Sequence, residues 1–317
     1  MPRILIPDSV TWELPELPLE VVRFNRHESL EGLDTEALVV WGISSKGLAP
    51  LLEMPSLKWV QTFTAGINHV LDLNPRDSIF VSNGKGLHDA PTAELAVTLL
   101  LSAVRRMHLH RDHQSAKSWD KAFYNQAVNA PSTQLMTLEG ANVLILGMGA
   151  IGLEIAHRLQ PFGASVEGVA NTSGDREGFV THAIEDLDLV LPSADTVIMV
   201  LPDTPATQKI MNKERLALLS PRAWVVNVGR GSAIDENALI DSLENHQIGG
   251  AALDVTEIEP LPNDSKLWSL ENCIITPHIA GGGPNLIGKA NALLERNAEK
   301  FVAGETLENL VSREKGY

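Results

Sequence analysis

The stretch "VLILGMGAIGLEIAHRLQPFG", residues 143 to 163, narrows the possible folds more than any other. Four apolar residues lead into Gly147, Gly149 and Gly152, and a helical pattern follows at once. The glycines of G-x-G-x-x-G have separate tasks: the first permits a tight turn, the second lets backbone approach a pyrophosphate, and the third lets helix pack on strand. The helix N-terminus then presents N–H groups and a positive dipole end to phosphates. A strand, a glycine loop and a helix in this order predict a βαβ unit that holds a dinucleotide.

The rest of the chain repeats that alternation. Candidate strands come in two sets, "RILIP", "EVVRF", "ALVVWG", "KWVQTF" and "IFVSN" first, then "NVLILG", "SVEGVA", "TVIMVLP", "AWVVNVG", "GGAALDV" and "CIITP". Their Val, Ile and Leu content suits strands buried on both faces, so parallel sheets covered by helices are expected. Long helices are predicted from about Ala90 to Met107 and from about Asn285 to Phe301, joining two α/β lobes. Between the sets, "HLHRDHQSAKSWDKAFYNQAVNAPSTQLMTLEG" is too long for an ordinary connection and reads as an arm with its own role.

With 317 residues the chain can bury two cores. Its 25 Lys and Arg stand against 40 Asp and Glu, a formal charge of −15. That balance disfavours nucleic acid or an anionic membrane as partner and points to a small molecule. The single cysteine, Cys273, permits no internal disulfide and fits a reducing compartment. "MPRILIPDSV" reads as a first strand, no apolar run reaches membrane length, and nothing calls for a metal, so a cytoplasmic protein is expected.

Three further polar residues each stand just beyond a predicted strand, where open α/β sheets bind ligands: Arg230 in "VVNVGRGSAIDENAL", Glu259 in "ALDVTEIEPLP" and His278 in "IITPHIAGG". An arginine fork can grip a carboxylate in two places. A carboxylate beside an imidazole sets its tautomer and favours its protonated form, giving an acid or base usable near neutral pH. Singly, each has a bland reading as a surface ion pair, a turn acid or a structural histidine. Together they supply what a 2-oxo acid needs, a charge clamp and a proton donor.

At these residues the sequence resembles the D-isomer-specific 2-hydroxyacid dehydrogenases. The resemblance covers nearly the whole chain, through "LKWVQTFTAGINHV", "VSNGKGLHDAPTAELAVTLLL", "LEGANVLILGMGAIG", "VLPDTPATQKIMNKERLALLSPRAWVVNVGRGSAIDENAL", "GAALDVTEIEPLP", "TPHIAG" and the terminal "GY". It implies two flavodoxin- or Rossmann-like lobes with doubly wound parallel sheets, a substrate-binding domain from 1–104 and 286–317 and a dinucleotide-binding domain inserted at 105–285. It implies that Arg230 binds the substrate carboxylate, that His278 is the acid/base and that Glu259 sets its charge. The backbone of Ala65, Gly66 and Ile67 would share the carboxylate. Gly147, Met148, Gly149, Ala150, Ile151, Gly152, Leu201, Pro202, Thr207, Val228, Gly229 and Gly281 match cofactor-binding positions, and Asp254 matches the position that holds the nicotinamide carboxamide. Trp41, Ile43, Ser44, Phe63 and Leu87 are candidate pocket walls. The arm with Trp119 resembles the family's dimer region, implying a homodimer.

Departures from the family pattern carry information. "GGGP", Gly281 to Pro284, stands where Thr or Ser is common, and His88 could reach the cleft, although a surface histidine is the simpler reading. The larger departure is Ala170 at the end of "SVEGVA", where an acid ordinarily holds the adenine ribose. Counting about 20 residues from Gly147 lands on Glu167, but that residue falls in mid-strand. Without the acid there is room for a 2′-phosphate. Asn171, Thr172 and Ser173 offer short donors and Arg176 the charge, so NADP(H) is favoured over NAD(H). The expectation is an NADPH-preferring reductase of glyoxylate, hydroxypyruvate or a related small 2-oxo acid. D-3-phosphoglycerate dehydrogenase is the runner-up, lowered because "TFTAGIN" offers no Lys or Arg for a phosphate and no regulatory extension is expected after "GY". A nucleotide-sensing corepressor is the alternative from another class, disfavoured by the retention of all three polar residues. Formate dehydrogenases of the superfamily carry Gln where Glu259 stands.

Overall fold

The structure, a computed structural model, describes residues 1–28, 33–119, 121, 125 and 134–313. The chain forms two compact units, Met1–His88 with Gly282–Tyr317, and Asp89–Gly281.

In the first unit, strands β1 (Arg3–Pro7), β2 (Glu20–Phe24), β3 (Ala37–Val40), β4 (Trp59–Thr62) and β5 (Phe80–Ser82) form a parallel sheet in the order β2-β1-β3-β4-β5. This is the flavodoxin-type order, with its switch point between β1 and β3. Alternate residues face opposite sides, as a pleated strand requires. Ile4, Ile6, Val39 and Trp59 pack with Leu293, Leu294 and Ala298 of the helix Leu286–Ala303. Leu5, Leu38, Val40 and Val60 pack with Leu48, Leu51 and Leu52 of the helix Ser45–Leu52. Asn297 ties the C-terminal helix down: its buried Nδ2 donates to Gln61 Oε1 on β4 at 2.8 Å, and its Oδ1 accepts from the Glu308 amide at 2.7 Å.

In the second unit, β6 (Asn142–Leu146), β7 (Ser165–Ala170), β8 (Gly174–Arg176), β9 (Phe179–Ala183), β10 (Thr196–Met199), β11 (Trp224–Asn227), β12 (Gly250–Leu253) and β13 (Cys273–Ile275) form one sheet in the order β13-β12-β11-β10-β6-β7-β9-β8. The order reverses between β6 and β10, so the glycine loop at the end of β6 lies at the switch point, where doubly wound sheets take their ligands. All eleven sequence-predicted strands form. The sequence reading missed β8 and β9, and β8 runs antiparallel to its neighbour, so the sheet is parallel except at one edge. β9 alternates buried and less buried residues with polar Thr181 and His182 among them, which is not the continuous apolar run of a central strand.

Two boundaries differ from those read in the sequence. The predicted helix from Ala90 to Met107 is two helices, Asp89–Val104 and Met107–Ser115, parted at Arg106 with φ of 50°. The buried apolar residues end at Val104, and the second helix buries nothing. The sequence placed the unit boundaries at 104/105 and 285/286, whereas the contacts divide the chain at 88/89 and 281/282. The reason is that Ala93, Ala96, Leu100 and Val104 share a core with Ile145 and Ile155 of the second unit. Residues 120, 122–124 and 126–133 of the arm, and the terminal "GY", lie outside the described residues. Among the described residues no helix is long and apolar enough to cross a membrane.

Candidate active site

The glycine loop does locally what its residues require. Gly147 sits at φ of 105°, and a Cβ there would lie 2.6 Å from the Val200 carbonyl oxygen. A Cβ on Gly152 would lie 2.1 Å from the Gly147 oxygen, so only glycine lets the helix Ala150–Leu159 start this close to β6. Gly149 caps that helix, and a Cβ on it would meet nothing within 4 Å. Open space beside a helix N-terminus, not packing, accounts for glycine at this position. It suits a pyrophosphate. Met148 is buried over Gly168, and Ile151 packs against the helix core.

At the end of β7 the strand stops at Ala170 and no acid follows through Ser173. Glu167 lies in mid-strand and pairs with His182 on β9 at 2.7 Å, so it is engaged away from any ribose. Arg176, on β8, bends back over the loop: Nη1 donates to the Met148 carbonyl at 2.8 Å and Nη2 to the Thr172 carbonyl at 3.2 Å. The hairpin of β8 and β9 thus brings one cation against both the glycine loop and the Asn171–Ser173 turn. Its recorded partners are a carbonyl on each side and the Thr172 hydroxyl, none of them a carboxylate.

The loops after β10 to β13 carry the remaining positions. Leu201 and Pro202 follow β10, and the Thr207 hydroxyl donates to the Pro202 carbonyl at 2.6 Å, closing that turn. Val228 and Gly229 follow β11, and a Cβ on Gly229 would lie 2.7 Å from the Leu201 nitrogen, which draws the two loops together. Gly231 does the same on the other side of Arg230, with a Cβ position 1.9 Å from the Thr256 oxygen. Arg230 is therefore held between two close backbone crossings. Its Nη1 donates to the Gly229 carbonyl at 2.6 Å. Burial lowers the pKa of its guanidinium, while the charges of Asp203 and Glu259 oppose that effect. Asp203 in turn accepts from the Ser232 hydroxyl at 2.8 Å.

His278 and Glu259 meet. The imidazole Nδ1 lies 2.6 Å from Glu259 Oε2, and Glu259 Oε1 accepts from the Thr256 amide at 3.1 Å. With both carboxylate oxygens engaged, Nδ1 carries the proton and Nε2 of the half-exposed ring is left to meet a substrate. His278 has φ of 52°, the left-handed region that is rare for a residue with a side chain. Asp254 explains how that conformation is held. Its buried carboxylate accepts from the Thr276 hydroxyl at 2.6 Å and from the amides of Ile279 and Ala280 at 3.0 and 2.9 Å, while its carbonyl accepts from the His278 amide. The sequence marked Asp254 by family position alone. Its place as the clamp of the histidine loop has no local signal, because four partners lie 22 to 26 residues away. Gly281 ends this loop.

In the first unit, Ala65–Ile67 follow β4. The Ala65 carbonyl accepts from Asn83 Nδ2 at 3.2 Å and the Gly66 carbonyl from the Thr64 hydroxyl at 2.7 Å. Among the described residues no acceptor is recorded for the amides of Ala65, Gly66 and Ile67, an arrangement able to hold an anion. His88 donates through Nε2 to the Phe63 carbonyl at 2.7 Å and so helps to hold the end of β4. Trp41 and Phe63 face one cavity, and Leu87 is buried in the core behind them. Ile43 packs in the opposite core and Ser44 caps the helix Ser45–Leu52, and neither lines this cavity.

Residues 97–280 match the family model described as D-isomer specific 2-hydroxyacid dehydrogenase, NAD binding domain. The chain belongs to the D-isomer specific 2-hydroxyacid dehydrogenases. It is 29% identical to a glyoxylate reductase of Thermofilum pendens over 92% of this chain and 85% of that protein. The crystal structure of a D-isomer specific 2-hydroxyacid dehydrogenase family protein from Aeromonas salmonicida subsp. salmonicida superposes with a TM-score of 0.83 at 30% identity, covering 99% of this chain and 100% of that one. An NADPH-dependent glyoxylate/hydroxypyruvate reductase of Sinorhizobium meliloti, solved with NADP and malonate, gives 0.81 at 30% identity over 98% and 97%. As an NAD(P)-dependent dehydrogenase of this family, the chain has its glycine loop, Arg230, Glu259 and His278 on the carboxyl edge of one sheet.

Proposed function

We propose that this 2-hydroxyacid dehydrogenase reduces a 2-oxo acid to the D-2-hydroxy acid, with glyoxylate, hydroxypyruvate or a related small acid among its substrates, and that it prefers NADPH. The observation that carries the reaction is the Glu259–His278 pair at 2.6 Å on a half-exposed imidazole, with the charge of Glu259 acting on the half-buried Arg230 guanidinium.

Gly147 to Gly152 would hold the pyrophosphate, and Leu201, Pro202, Thr207, Val228, Gly229, Asp254 and Gly281 would line the rest of the cofactor's path. When bound, the dinucleotide supplies hydride to the substrate's carbonyl carbon. Arg230 holds the carboxylate and orients the carbonyl; in the first unit, the amides of Ala65–Ile67 are arranged to take an anion of the same kind. His278 donates its Nε2 proton to the carbonyl oxygen as negative charge develops there, and Glu259 stabilises the imidazolium that begins the step. His278 is neutral afterwards and is recharged from solvent through its exposed face.

Ala170 and Arg176 support the cofactor preference. A carboxylate at the end of β7 would repel a 2′-phosphate, and a guanidinium whose recorded partners are neutral oxygens keeps its charge for one. The proton-transfer pair favours this reading over a nucleotide-sensing corepressor, which needs no acid. Trp119 of the arm, 87% exposed, supports a homodimer in which this side chain is covered. The single cysteine fits a reducing compartment such as the cytoplasm.

Initial rates with glyoxylate, hydroxypyruvate and 3-phosphohydroxypyruvate, each with NADPH and NADH, test the proposal. Turnover of the first two with NADPH ahead of NADH is expected. Preference for the phosphorylated acid would move the assignment to phosphoglycerate oxidation, and a bound cofactor without turnover on any 2-oxo acid would end it.

A further inference from the structure

A groove of about 280 Å³ lies in the first unit, between the turn after β5, the helix Leu286–Ala303 and the chain that follows it. Three of its lining residues are cations, Lys85, Lys289 and Arg296, and one is an acid, Glu308. In a chain with 25 basic and 40 acidic residues, three cations around one acid is a local reversal of charge. A concave place of one sign concentrates its field and draws counter-ions.

The acid does not cancel that field, because it is already taken. Arg296 Nε lies 3.1 Å from both Glu308 carboxylate oxygens, and Lys300 Nζ donates to Oε1 at 3.0 Å. Hydrogen bonds from these two cations hold the Glu308 carboxyl below its usual range. Lys85 and Lys289 are left over: both are exposed, and among the described residues no ion pair is recorded for either. Two ammonium groups at one groove repel each other, and an anion between them turns that repulsion into attraction.

The backbone adds a donor. The Leu87 amide donates to the Gly84 carbonyl at 3.1 Å, closing a turn whose third residue, Gly86, has φ of 89°. A Cβ on Gly86 would meet nothing within 4 Å, and among the described residues no acceptor is recorded for its amide. Lysine ammoniums bind phosphate-like groups as point charges, and an N–H beside them adds direction. Sites for drug-sized ligands run from roughly 300 Å³ upward, so this groove fits a smaller guest.

The same turn is tied to the loop Ala65–Ile67 within the first unit. Buried Asn83 accepts from the Lys85 amide through Oδ1 at 3.1 Å and donates through Nδ2 to the Ala65 carbonyl at 3.2 Å. Asn309, also on the groove wall, donates from Nδ2 to the Lys85 carbonyl at 2.9 Å and accepts from the Asn83 amide at 3.0 Å. We propose that the groove binds a small polyvalent anion on Lys85, Lys289 and the Gly86 amide, and that its occupancy alters how the Ala65–Ile67 loop takes the substrate carboxylate. The binding is independent of the proposed 2-oxo acid reductase activity; the effect on substrate rests on that reading.

Calorimetric titration of the full-length enzyme, saturated with NADPH so that the cofactor's own phosphate positions are filled, tests the site. Pyrophosphate and citrate are the probes, with sodium chloride at matched ionic strength as the control, and the tighter probe tells phosphate from carboxylate chemistry. Binding of at least one probe is expected, weakened about tenfold or more in Lys85→Gln/Lys289→Gln. Lys46→Gln/Lys58→Gln, which removes equal charge from exposed positions outside the groove, should leave it within about twofold. No binding beyond chloride, binding unchanged in the groove variant, or equal loss in both variants overturns the site. In steady-state assays the anion should shift the wild-type KM for the 2-oxo acid about fivefold or more, and the groove variant, with its anion-free kcat intact, should lose that shift. A shift that persists in the groove variant is direct competition with substrate and overturns the coupling. Groove-dependent binding in an enzyme that reduces no 2-oxo acid would leave the site standing and overturn the reductase reading.

Discussion

At the residue scale, the proposed chemistry rests on His278, whose side chain was legible and whose backbone was not. A histidine after an apolar run, with an acid nearby in another loop, is visible in "TPHIAG" and "IEPLP". Its φ of 52° and the Asp254 clamp behind it are not, because left-handed backbone is uncommon even for histidine and the clamp joins residues 22 to 26 apart in the chain. Two substitutions separate these roles. His278→Asn should lower kcat by about 10² to 10⁴ while NADPH still binds, measured by steady-state rates and cofactor fluorescence. Asp254→Asn replaces an acceptor of three hydrogen bonds by an amide whose nitrogen would face an N–H donor. It should lower stability by about 1 to 3 kcal/mol in urea unfolding as well as reduce kcat, because the loop that presents His278 loosens.

At the element scale, the proposed preference for NADPH rests on the edge hairpin of β8 and β9. The sequence supplied the missing acid at Ala170 and a nearby cation, but no strand was predicted in "NTSGDREG". Folding that turn as a strand carries Arg176 back to Met148 and Thr172. Ala170→Asp should shift the kcat/KM ratio toward NADH, and Arg176→Gln should weaken NADPH about tenfold or more while leaving NADH nearly unchanged, read by parallel titrations at low salt. A second element-scale constraint is the crossing of the Arg230 loop with the Thr256–Glu259 turn. Gly231→Ala puts a methyl 1.9 Å from the Thr256 oxygen. It should displace that turn, cost about 1 to 3 kcal/mol in urea unfolding and raise KM for the 2-oxo acid.

At the scale of the whole molecule, the two units differ in how the chain builds them. The second is continuous from Asp89 to Gly281, while the first needs both ends of the chain, joined by Asn297 bridging Gln61 and Glu308. Alkaline pH probes the second unit through its one thiol. Desolvation, with the Glu236 charge adding to it, pushes Cys273 up to about 12 from an ordinary 9.0. The folded form holds the proton more tightly than the unfolded form, so this contribution to stability is complete below about pH 9 and is lost as pH rises toward 12. Unfolding midpoints of the wild type should fall across that window more steeply than those of Cys273→Ala, and the native thiol should resist alkylation at pH 8.

The sequence alone determined what periodicity and spacing can carry: eleven strands, the two-lobed α/β class and the glycine loop, with Arg230, Glu259 and His278 as the proposed reacting set. Buried parallel strands announce themselves by unbroken apolar runs, and the glycines by spacing that only close backbone approach explains. Tertiary structure alone decided the unit to which the helix Asp89–Val104 belongs, the fold of the edge hairpin that aims Arg176, the clamp of Asp254 on the histidine loop, and the meeting of Trp12 with Trp41 and Phe63. Each of these is a contact between residues far apart in the chain or a departure from local propensity. Such contacts are set by which surfaces the packed sheets bring together, and no local pattern encodes that.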